Sequence, residues 1–326
     1  MKRKLFLIVA IFALIISLFF IVPEKNRRFF SATPKNKGGI LKEEGGSEEY
    51  LNLENVSRFC PACGLLPTRK PELSPPHLGE TAGIAILFNE DGKTNILYEK
   101  NIDQRLPIAS LTKLMTAMIV IDKYPLDKTV EVSQGAVWTE GESGRLSAGE
   151  RTSVLNLLRL TLLVSSNDAA SVLAEIIGTK SFVDLMNEKT KEIGLENTHF
   201  TNVHGLDDKE NFSSVEDLAL LTQYSLLYYP EIWEILQVKE IDVFSQDFLG
   251  RKILHHLRNT NKLIYQEDVL GGKTGYTEEA KETMILATKA PQKTLGNIII
   301  VLLGVDDRIK RAEELYGWTK GAYYWN

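Results

Sequence analysis

A serine and a lysine three residues apart, Ser110 and Lys113, form a pair that could carry out nucleophilic chemistry. They lie in the apolar segment 110–122, which is predicted to be a buried helix, and side chains three residues apart share one face of a helix. A lysine can serve as the base for a serine only if its pKa falls from about 10.4 toward neutrality, which burial and a second nearby cation both favour. The alternative is a surface lysine whose amine reaches water.

A second polar group, Ser165-Ser166-Asn167, lies between two predicted helices. A junction of this kind can project side chains into a cleft. Ser165 could then relay a proton between Lys113 and a leaving amine, and Asn167 could hold Lys113 or the backbone amide of a ligand. The alternative is helix capping, which Ser, Asn and Asp do routinely, and Asp168 is itself a candidate cap.

The tripeptide Lys273-Thr274-Gly275 lies on a predicted strand and supplies the second cation. The edge of a strand offers backbone groups to an extended peptide, and a glycine there removes a side chain that would block close approach. Lys273 and Thr274 then present a charge and a hydroxyl to a terminal carboxylate. The backbone N–H groups of Ser110 and Tyr276 would stabilise an oxyanion. Taken alone, the tripeptide is also compatible with a strand end that carries a solvated lysine.

The competing chemistry is a Ser-His-Asp triad. The sequence contains five histidines but no G-x-S-x-G motif. His204 precedes a glycine in a predicted loop, where a structural role is equally compatible with the pattern, and a histidine-dependent mechanism is not expected. The histidines are His77, His199, His204, His255 and His256.

The composition excludes several classes of protein. The chain has 326 residues, of which 44% are hydrophobic, and a net charge of −5. Because basic residues occur mostly among acidic ones, no nucleic-acid partner is expected. Cys60 and Cys63 lack the further ligands that a zinc site needs, so no metal or cofactor is expected. A redox site would need a βαβ context, and a local disulfide or small knuckle outside the cytoplasm is favoured.

The predicted elements that position these residues run from strands to helices and back to strands. The first strand, 82–88, forms a predicted hairpin with 95–98 around the turn 90–92. One mainly antiparallel sheet built from both chain ends, with a helical middle region packed around it, is therefore expected, which is an α/β (α+β) fold class. The predicted helices are 110–122, 152–164, 168–177, 182–193, about 213–228 and 308–323, and the later strands are 270–276, 283–289 and 297–305.

Capping boxes and a glycine predict where two of these helices begin and where one of them ends. Ser181 with Asp184, and Ser213 with Glu216, resemble capping boxes that would start the fourth and fifth helices. Gly194 is predicted to end the fourth helix.

The N-terminus predicts membrane attachment. Residues 1–4 form a basic cytoplasmic segment, and the apolar run 5–22 would rise about 27 Å as a helix, close to the thickness of a bilayer core. A transmembrane signal anchor is favoured over a cleaved signal peptide because no small-x-small site follows at once. Residues 23–78 are predicted to be a flexible linker spanning on the order of 40 Å. The domain 79–326 is expected to carry the chemistry. Basic residues flank the apolar run on both sides, so charge leaves its orientation open.

The motifs, in this order and spacing, resemble those of the low-molecular-mass penicillin-binding proteins, the D-alanyl-D-alanine carboxypeptidase family of S-x-x-K serine peptidases. The resemblance covers about residues 81–318. It includes the segments YEKNIDQRLPIASLTKLMTA (98–117), LLVSSNDAASVLAE (162–175), FVDLMNEKTKEIGLENTHFTNVHGL (182–206) and GGKTGYT (271–277).

The resemblance implies a β-lactamase/transpeptidase-like fold, acyl-enzyme catalysis without a metal, and covalent inhibition by β-lactams. The implied substrate is a peptidoglycan stem peptide ending in D-Ala-D-Ala. By position, Ser110 matches the acylated serine, Lys113 its base, Ser165 and Asn167 the second motif, and Lys273 the lysine on the carboxylate side. Because peptidoglycan lies outside the cytoplasmic membrane, the expected location is a single-pass membrane protein with an extracytoplasmic linker and catalytic domain, secreted if the anchor is cleaved.

Some features differ from the family pattern. Lys281 stands where the family usually has glycine or another small residue, and Ser166 replaces the glycine or alanine often found in the second motif. Many members also carry a C-terminal β-rich domain and a membrane-binding helix, which are not expected here. None of these differences removes a group that the chemistry needs.

Three other functions stay open. A D,D-endopeptidase would use the same chemistry on cross-links, in a wider cleft. A class A β-lactamase would need a carboxylate that activates water, and Glu140 and Glu142 precede the second motif, whereas that glutamate normally follows it. An inactive wall-binding scaffold would not require intact motifs.

Overall fold

The computed structural model describes residues 67–89, 93–141, 144–292 and 295–325. The predicted segments 1–4 and 5–22, the cysteines Cys60 and Cys63, and the turn 90–92 lie outside the described residues. Within the described ranges, no helix is both long and apolar enough to cross a bilayer. No cluster of acidic, histidine or cysteine side chains suited to a metal ion occurs in that part of the chain either.

A five-stranded antiparallel sheet, built from both ends of the domain, organises the fold. Strand β2, Ala82–Phe88, pairs with β3, Thr94–Lys100, on one side and with β12, Asn297–Val305, on the other. Strands β11, Lys281–Lys289, and β10, Val269–Thr277, complete the order β10-β11-β12-β2-β3. The predicted sheet is confirmed, and the predicted bounds of β2 and β12 match those observed.

Both faces of this sheet are buried. Ile84 and Ile86 of β2 belong to the core shared with the helical middle region. Ala85 and Leu87, which point the other way, belong to the core formed with the closing helix. Because every side chain of β2 is buried, the strand reads as a continuous apolar run rather than an alternating pattern.

The helical middle region is organised around α1, Thr112–Lys123, in which every residue from Thr112 to Val120 is buried. A 3-10 turn, Ala109–Leu111, leads into it. A second 3-10 turn, Lys262–Tyr265, precedes β10. The further helices are α2 (Gln134–Val137), α3 (Val154–Leu163), α4 (Asn167–Glu175), α5 (Thr179–Ile193), α6 (Val215–Tyr228), α7 (Pro230–Leu236) and α8 (Arg308–Gly321).

A second, four-stranded antiparallel sheet was not predicted. It orders β5-β6-β8-β9, where β5 is Thr129–Glu131, β6 is Arg151–Ser153, β8 is Glu240–Gln246 and β9 is Lys252–Arg258. Residues 152 and 153, predicted as the start of a helix, belong instead to β6. A two-stranded pair, β4 (Leu106–Pro107) with β7 (Phe212–Ser213), joins the segment before the 3-10 turn to the segment before α6.

Two of the predicted helix starts are wrong in position. Helix α5 begins after Gly178, whose φ of 90° lies in the left-handed region, so Ser181 lies inside the first turn rather than at a cap. Helix α6 is capped by Ser214, whose hydroxyl accepts a hydrogen bond from the backbone N–H of Asp217, one residue beyond the predicted cap. Gly194, with φ 83°, ends α5 as predicted.

The last residues of the predicted linker 23–78 pack on the domain. Strand β1, Thr68–Arg69, pairs with β13, Tyr323–Tyr324, at the other end of the domain. Leu78 is fully buried. The contacts that hold the N-terminal part of the domain therefore start before the predicted boundary at residue 79.

Candidate active site

The 3-10 turn Ala109–Leu111 holds Ser110 at the start of α1. The Nζ atom of Lys113, which is fully buried, donates a hydrogen bond of 2.7 Å to Ser110 Oγ. Ala109 has a φ of 48°, a conformation that a side chain disfavours. Gly205 lies against it, where an added Cβ would be 1.8 Å from the Ala109 carbonyl oxygen, so the site tolerates no side chain there.

Lys113 has two further acceptors, both from the helical region. Its Nζ lies 2.6 Å from Asn167 Oδ1 and 2.7 Å from the backbone oxygen of His204. The Asn167 amide in turn donates to the backbone oxygen of Glu140 at 2.7 Å. Asn167 thus holds the lysine on one side and the loop that contains Glu140 on the other.

The second predicted lysine, Lys273, lies in the middle of β10 and is almost fully buried. Its Nζ donates to Ser165 Oγ at 2.9 Å and to the backbone oxygen of Thr274 at 2.8 Å. Ser165 has a φ of 60°, in the left-handed region, so the backbone at this junction is strained. Ser165 therefore contacts the lysine of the strand, whereas Asn167 contacts the lysine of the helix.

Gly275 brings β10 against the serine. A Cβ added to it would lie 2.9 Å from the backbone nitrogen of Ser110 and 2.5 Å from Thr283 Oγ1, so a larger residue would push the strand away. Beside it, the Thr274 hydroxyl lies 2.8 Å from that of Thr260. Tyr276 is exposed, and its hydroxyl donates to Glu278 at 3.0 Å.

Ser110 and Asn167 line an open cleft of about 290 Å³. Three of its lining residues, Ser110, Asn167 and Tyr276, were predicted as site residues. No carboxylate is among the described residues that line it. The lining residues are Ser110, Gly141, Asn167, His204, Gly205, Leu206, Tyr276 and Thr277.

His204 contributes more than the sequence suggested. Burial, and then the positive charge of Lys113, lower the pKa of its imidazole to about 4. The ring is therefore neutral near pH 7, while the backbone carbonyl of the same residue accepts the hydrogen bond from Lys113. The sequence shows that Gly205 follows His204, but it could not predict the hydrogen bond from Lys113. That bond is accepted by the backbone oxygen of His204, and every residue type has such an oxygen.

Asp168, a candidate cap in the sequence, holds a loop instead. Its buried carboxylate accepts a hydrogen bond of 2.8 Å from the backbone N–H of Gly144. The capping side chain of α4 is Ser166, whose Oγ accepts from the N–H of Ala169 at 2.9 Å. Ser166, which differs from the family pattern of the second motif, is therefore the N-terminal cap of α4.

Two polar side chains near the strand were missed. Arg308, the first residue of α8, donates from Nη1 to the backbone oxygen of Gly275 at 2.8 Å. The other is Thr260, whose hydroxyl lies 2.8 Å from that of Thr274. Neither belongs to a short motif, because each reaches the site from a distant part of the chain.

Comparison with known proteins places this geometry in context. A family model described as D-alanyl-D-alanine carboxypeptidase matches residues 72–306. The chain is 34% identical over 226 residues to the D-alanyl-D-alanine carboxypeptidase DacF of Bacillus subtilis, which covers 65% of this chain and 55% of that protein. It is 31% identical over 261 residues to a D-alanyl-D-alanine endopeptidase of Pseudomonas aeruginosa, covering 77% of this chain and 81% of the relative.

The fold also resembles solved structures. The crystal structure of the Streptomyces K15 DD-transpeptidase superimposes with a TM-score of 0.69 and 26% identity, covering 76% of this chain and 99% of that one. The predicted fold class is confirmed. The chain spans slightly more than half the length of the first two curated carboxypeptidase relatives, 55% and 57%.

Proposed function

The chain belongs to the D-alanyl-D-alanine carboxypeptidase family, and from that premise we propose that it is a serine-type D-Ala-D-Ala carboxypeptidase. Its substrate would be the stem pentapeptide of peptidoglycan, and its intermediate an acyl-enzyme on Ser110. The observation that carries the proposal is the buried amine of Lys113, 2.7 Å from the hydroxyl of Ser110, which lines an open cleft. Burying an ammonium group costs free energy. A role for Lys113 in the chemistry explains why a lysine is buried here.

In the acylation step, Lys113 accepts the hydroxyl proton as Ser110 Oγ bonds to the carbonyl carbon of the penultimate D-alanine. The backbone N–H groups of Ser110 and Tyr276 stabilise the resulting oxyanion. The close approach of β10 at Gly275 supports this assignment, since it brings that strand next to the Ser110 nitrogen.

Collapse of the tetrahedral intermediate breaks the peptide C–N bond. The proton held by Lys113 passes through Ser165 to the amine of the departing D-alanine. The hydrogen bond from Lys273 fixes the Ser165 hydroxyl at 2.9 Å. Water then attacks the ester and gives its proton to Lys113, which returns that proton to the Ser110 oxygen as the ester C–O bond breaks.

Substrate recognition would depend on β10. Lys273 and Thr274 offer a charge and a hydroxyl to the terminal carboxylate, and Arg308 adds positive charge beside Gly275. Asn167 would orient Lys113 or the substrate amide, and Gly275 leaves room for the peptide to lie along the strand. β-Lactams would acylate the same serine and act as covalent inhibitors.

A D,D-endopeptidase that cleaves cross-links is a second candidate. It is favoured by the relatives named D-alanyl-D-alanine endopeptidase, which this chain covers over 81% and 75% of their lengths. A β-lactamase would need a water-activating carboxylate, and the described lining of the cleft supplies none.

We also propose the cellular arrangement. Residues 5–22 would cross the cytoplasmic membrane once, with 1–4 inside, and the predicted linker 23–78, whose last residues pack on the domain, would connect them to the extracytoplasmic domain. A reporter fused after Asn326 should be active only outside the cytoplasm. Activity confined to the cytoplasm would contradict this topology.

Mass spectrometry after incubation with penicillin tests the enzyme assignment. We expect one penicilloyl adduct on the full chain, and none on Ser110→Ala. Ser147→Ala, at an exposed serine in the loop before β6, is the control and should keep the adduct. An unlabelled wild type, or a labelled Ser110→Ala, would reject the proposal.

Chromatography of digested cell walls separates the two peptidase activities. A carboxypeptidase converts monomeric pentapeptides to tetrapeptides, whereas an endopeptidase lowers the ratio of dimers to monomers. Conversion of dimers alone would favour the second candidate.

A further inference from the structure

The hairpin β8–β9 ends in a cluster of exposed apolar side chains that the chemistry does not use. Phe244, Phe248, Leu249 and Leu254 are exposed by 45%, 76%, 63% and 55% respectively. We call these four residues the apolar tip. Exposed apolar side chains are normal when scattered, but a cluster of this kind usually marks an interaction surface.

The two faces of this hairpin differ. One face packs on the domain through buried residues that include Val243 and Leu257. On the other face Phe244 lies directly opposite Leu254 in the register. Since alternate residues of a strand point to opposite faces, these two side chains contribute nothing to the core beneath them.

Polarity changes along the exposed face. At the base, His256 Nδ1 lies 2.7 Å from Asp242, so the face there is charged and suited to water. Toward the tip, Lys252 Nζ lies 3.4 Å from the centre of the Phe244 ring, and Arg251 pairs with Asp247 at 2.6 Å. The apolar end is therefore bordered by Lys252 and by the ion pair of Arg251 with Asp247, and apolar side chains next to basic ones are typical of a segment at a lipid–water interface.

We propose that the apolar tip inserts into the interface of the membrane that holds residues 5–22. The inference rests on the anchor in the proposed function. The predicted linker spans on the order of 40 Å, so the hairpin meets the bilayer at a high effective concentration and a weak contact suffices. Arg251 and Lys252 would face anionic lipid headgroups.

The contact would set the position of the cleft. Each strand of the hairpin has seven residues, which corresponds to a length of about 23 Å. Thr260, two residues beyond the base of β9, contacts Thr274 at the site. A tip at the interface therefore holds the cleft roughly 20 Å above the lipid surface, rather than leaving its height to the linker.

A site-specific fluorophore on the full chain tests this inference. In a Cys60→Ser/Cys63→Ser background, an environment-sensitive label is attached at Leu249→Cys or, as the control, at Lys180→Cys, whose side chain is 89% exposed on α5. The chain is reconstituted in vesicles of phosphatidylethanolamine and phosphatidylglycerol. We expect a blue-shifted emission and strong quenching by spin-labelled lipid at position 249, and neither at 180.

A second pair of variants tests the apolar side chains themselves. A label at Leu254→Cys should be quenched by spin-labelled lipid, and the further change Phe248→Ser/Leu249→Ser should abolish that quenching. Quenching at 249 no greater than at 180 would overturn the inference, as would a blue shift at 249 that appears without vesicles, since two copies of the chain would then be covering the tip.

The experiment separates this inference from the proposed function. Flotation of the chain with vesicles reports the anchor, and a penicillin adduct on the same sample reports Ser110. A chain that floats and carries the adduct, yet shows a water-exposed label at 249, overturns the hairpin inference alone. A chain that does not float overturns the anchor and the hairpin inference together.

Discussion

The hydrogen bonds of one amine organise the chemistry at the residue scale. Lys113 contacts a hydroxyl, a side-chain amide and a backbone carbonyl, contributed by Ser110, Asn167 and His204. Each comes from a different segment, so the position of the amine depends on the whole helical region. The pairing of Ser110 with Lys113 could be predicted, because a three-residue spacing fixes it locally. The contact between Ser165 and Lys273 could not, because it depends on how a strand docks on a helix junction.

His204 should make stability depend on pH. Its folded-state pKa of about 4 lies below the ordinary value of 6.5. The unfolded chain therefore binds a proton that the folded chain does not, and stability falls as pH drops from about 6.5 to about 4. After allowance for partial exposure, we expect a loss of about 2 kcal/mol from this residue. Urea unfolding of His204→Gln at both ends of this range should show a smaller loss than wild type.

The exposed His77 supplies the control for that measurement. The same unfolding measurement on His77→Gln controls for the loss of a histidine at an exposed position. An unchanged pH dependence in His204→Gln would show that the imidazole is not kept neutral by its surroundings.

Thr260 should act as a positioning residue for Thr274. In Thr260→Val the Thr274 hydroxyl loses a partner at 2.8 Å, and a lost hydrogen bond of this kind corresponds to roughly a tenfold effect. Because the hydroxyl would contact the carboxylate of bound substrate throughout the reaction, we expect KM to rise with little change in kcat. Steady-state kinetics on a D-Ala-D-Ala peptide measures both constants.

Thr260→Ser tests whether the hydroxyl matters. It keeps the hydroxyl and should restore KM, whereas equal losses in both variants would assign Thr260 a packing role only.

At the element scale, the hairpin between β10 and β11 departs most clearly from the family pattern. Lys281, the first residue of β11, has a φ of 55°. The left-handed region favours glycine, which explains why a small residue is usual at this position. We expect Lys281→Gly to stabilise the domain by about 0.5–1 kcal/mol, measured by urea unfolding.

Lys289, at the other end of β11, supplies the matched control. It lies in regular strand, so Lys289→Gly should destabilise the domain by about 0.5–1 kcal/mol. A destabilised Lys281→Gly would mean that contacts of the lysine outweigh the strain of its backbone.

Elements differ in how far the sequence predicts them. Strands β2 and β12 are long apolar runs between turn residues, so their bounds could be read directly. Strands β8 and β9 were missed, because each has only two buried residues and its exposed face mixes charged residues with apolar ones. The start of α5 was misplaced because a glycine in a left-handed conformation, rather than a side-chain cap, begins it.

At the scale of the whole molecule, the two ends of the domain hold each other. Strand β13 pairs with β1, and the Tyr323 side chain is buried, with its hydroxyl donating to the Leu97 oxygen at 2.5 Å. Trp318 packs edge-on against it, with ring centres 6.0 Å apart. Tyr323 is thus part of the core.

Tyr323→Ala should therefore destabilise the domain by about 3 kcal/mol, because it removes a buried ring and a hydrogen-bond donor. Its neighbour Tyr324 is 52% exposed, and the Lys70 amine lies 4.7 Å from the centre of its ring, so Tyr324→Ala should cost less than about 1 kcal/mol. Thermal unfolding of both variants measures the difference. Equal losses would show that β13 is not held by the buried ring.

The strand order of the central sheet constrains how the protein is made. Ala85 in β2 lies opposite Ile300 in β12, roughly two hundred residues later in the chain. Until β12 has been made, β2 can pair only with β3, which leaves one edge of the fully apolar strand β2 unpaired. Such an intermediate aggregates readily, and long-range pairing makes its completion slow. A nascent chain that stalls before β12 would depend on a chaperone to stay soluble.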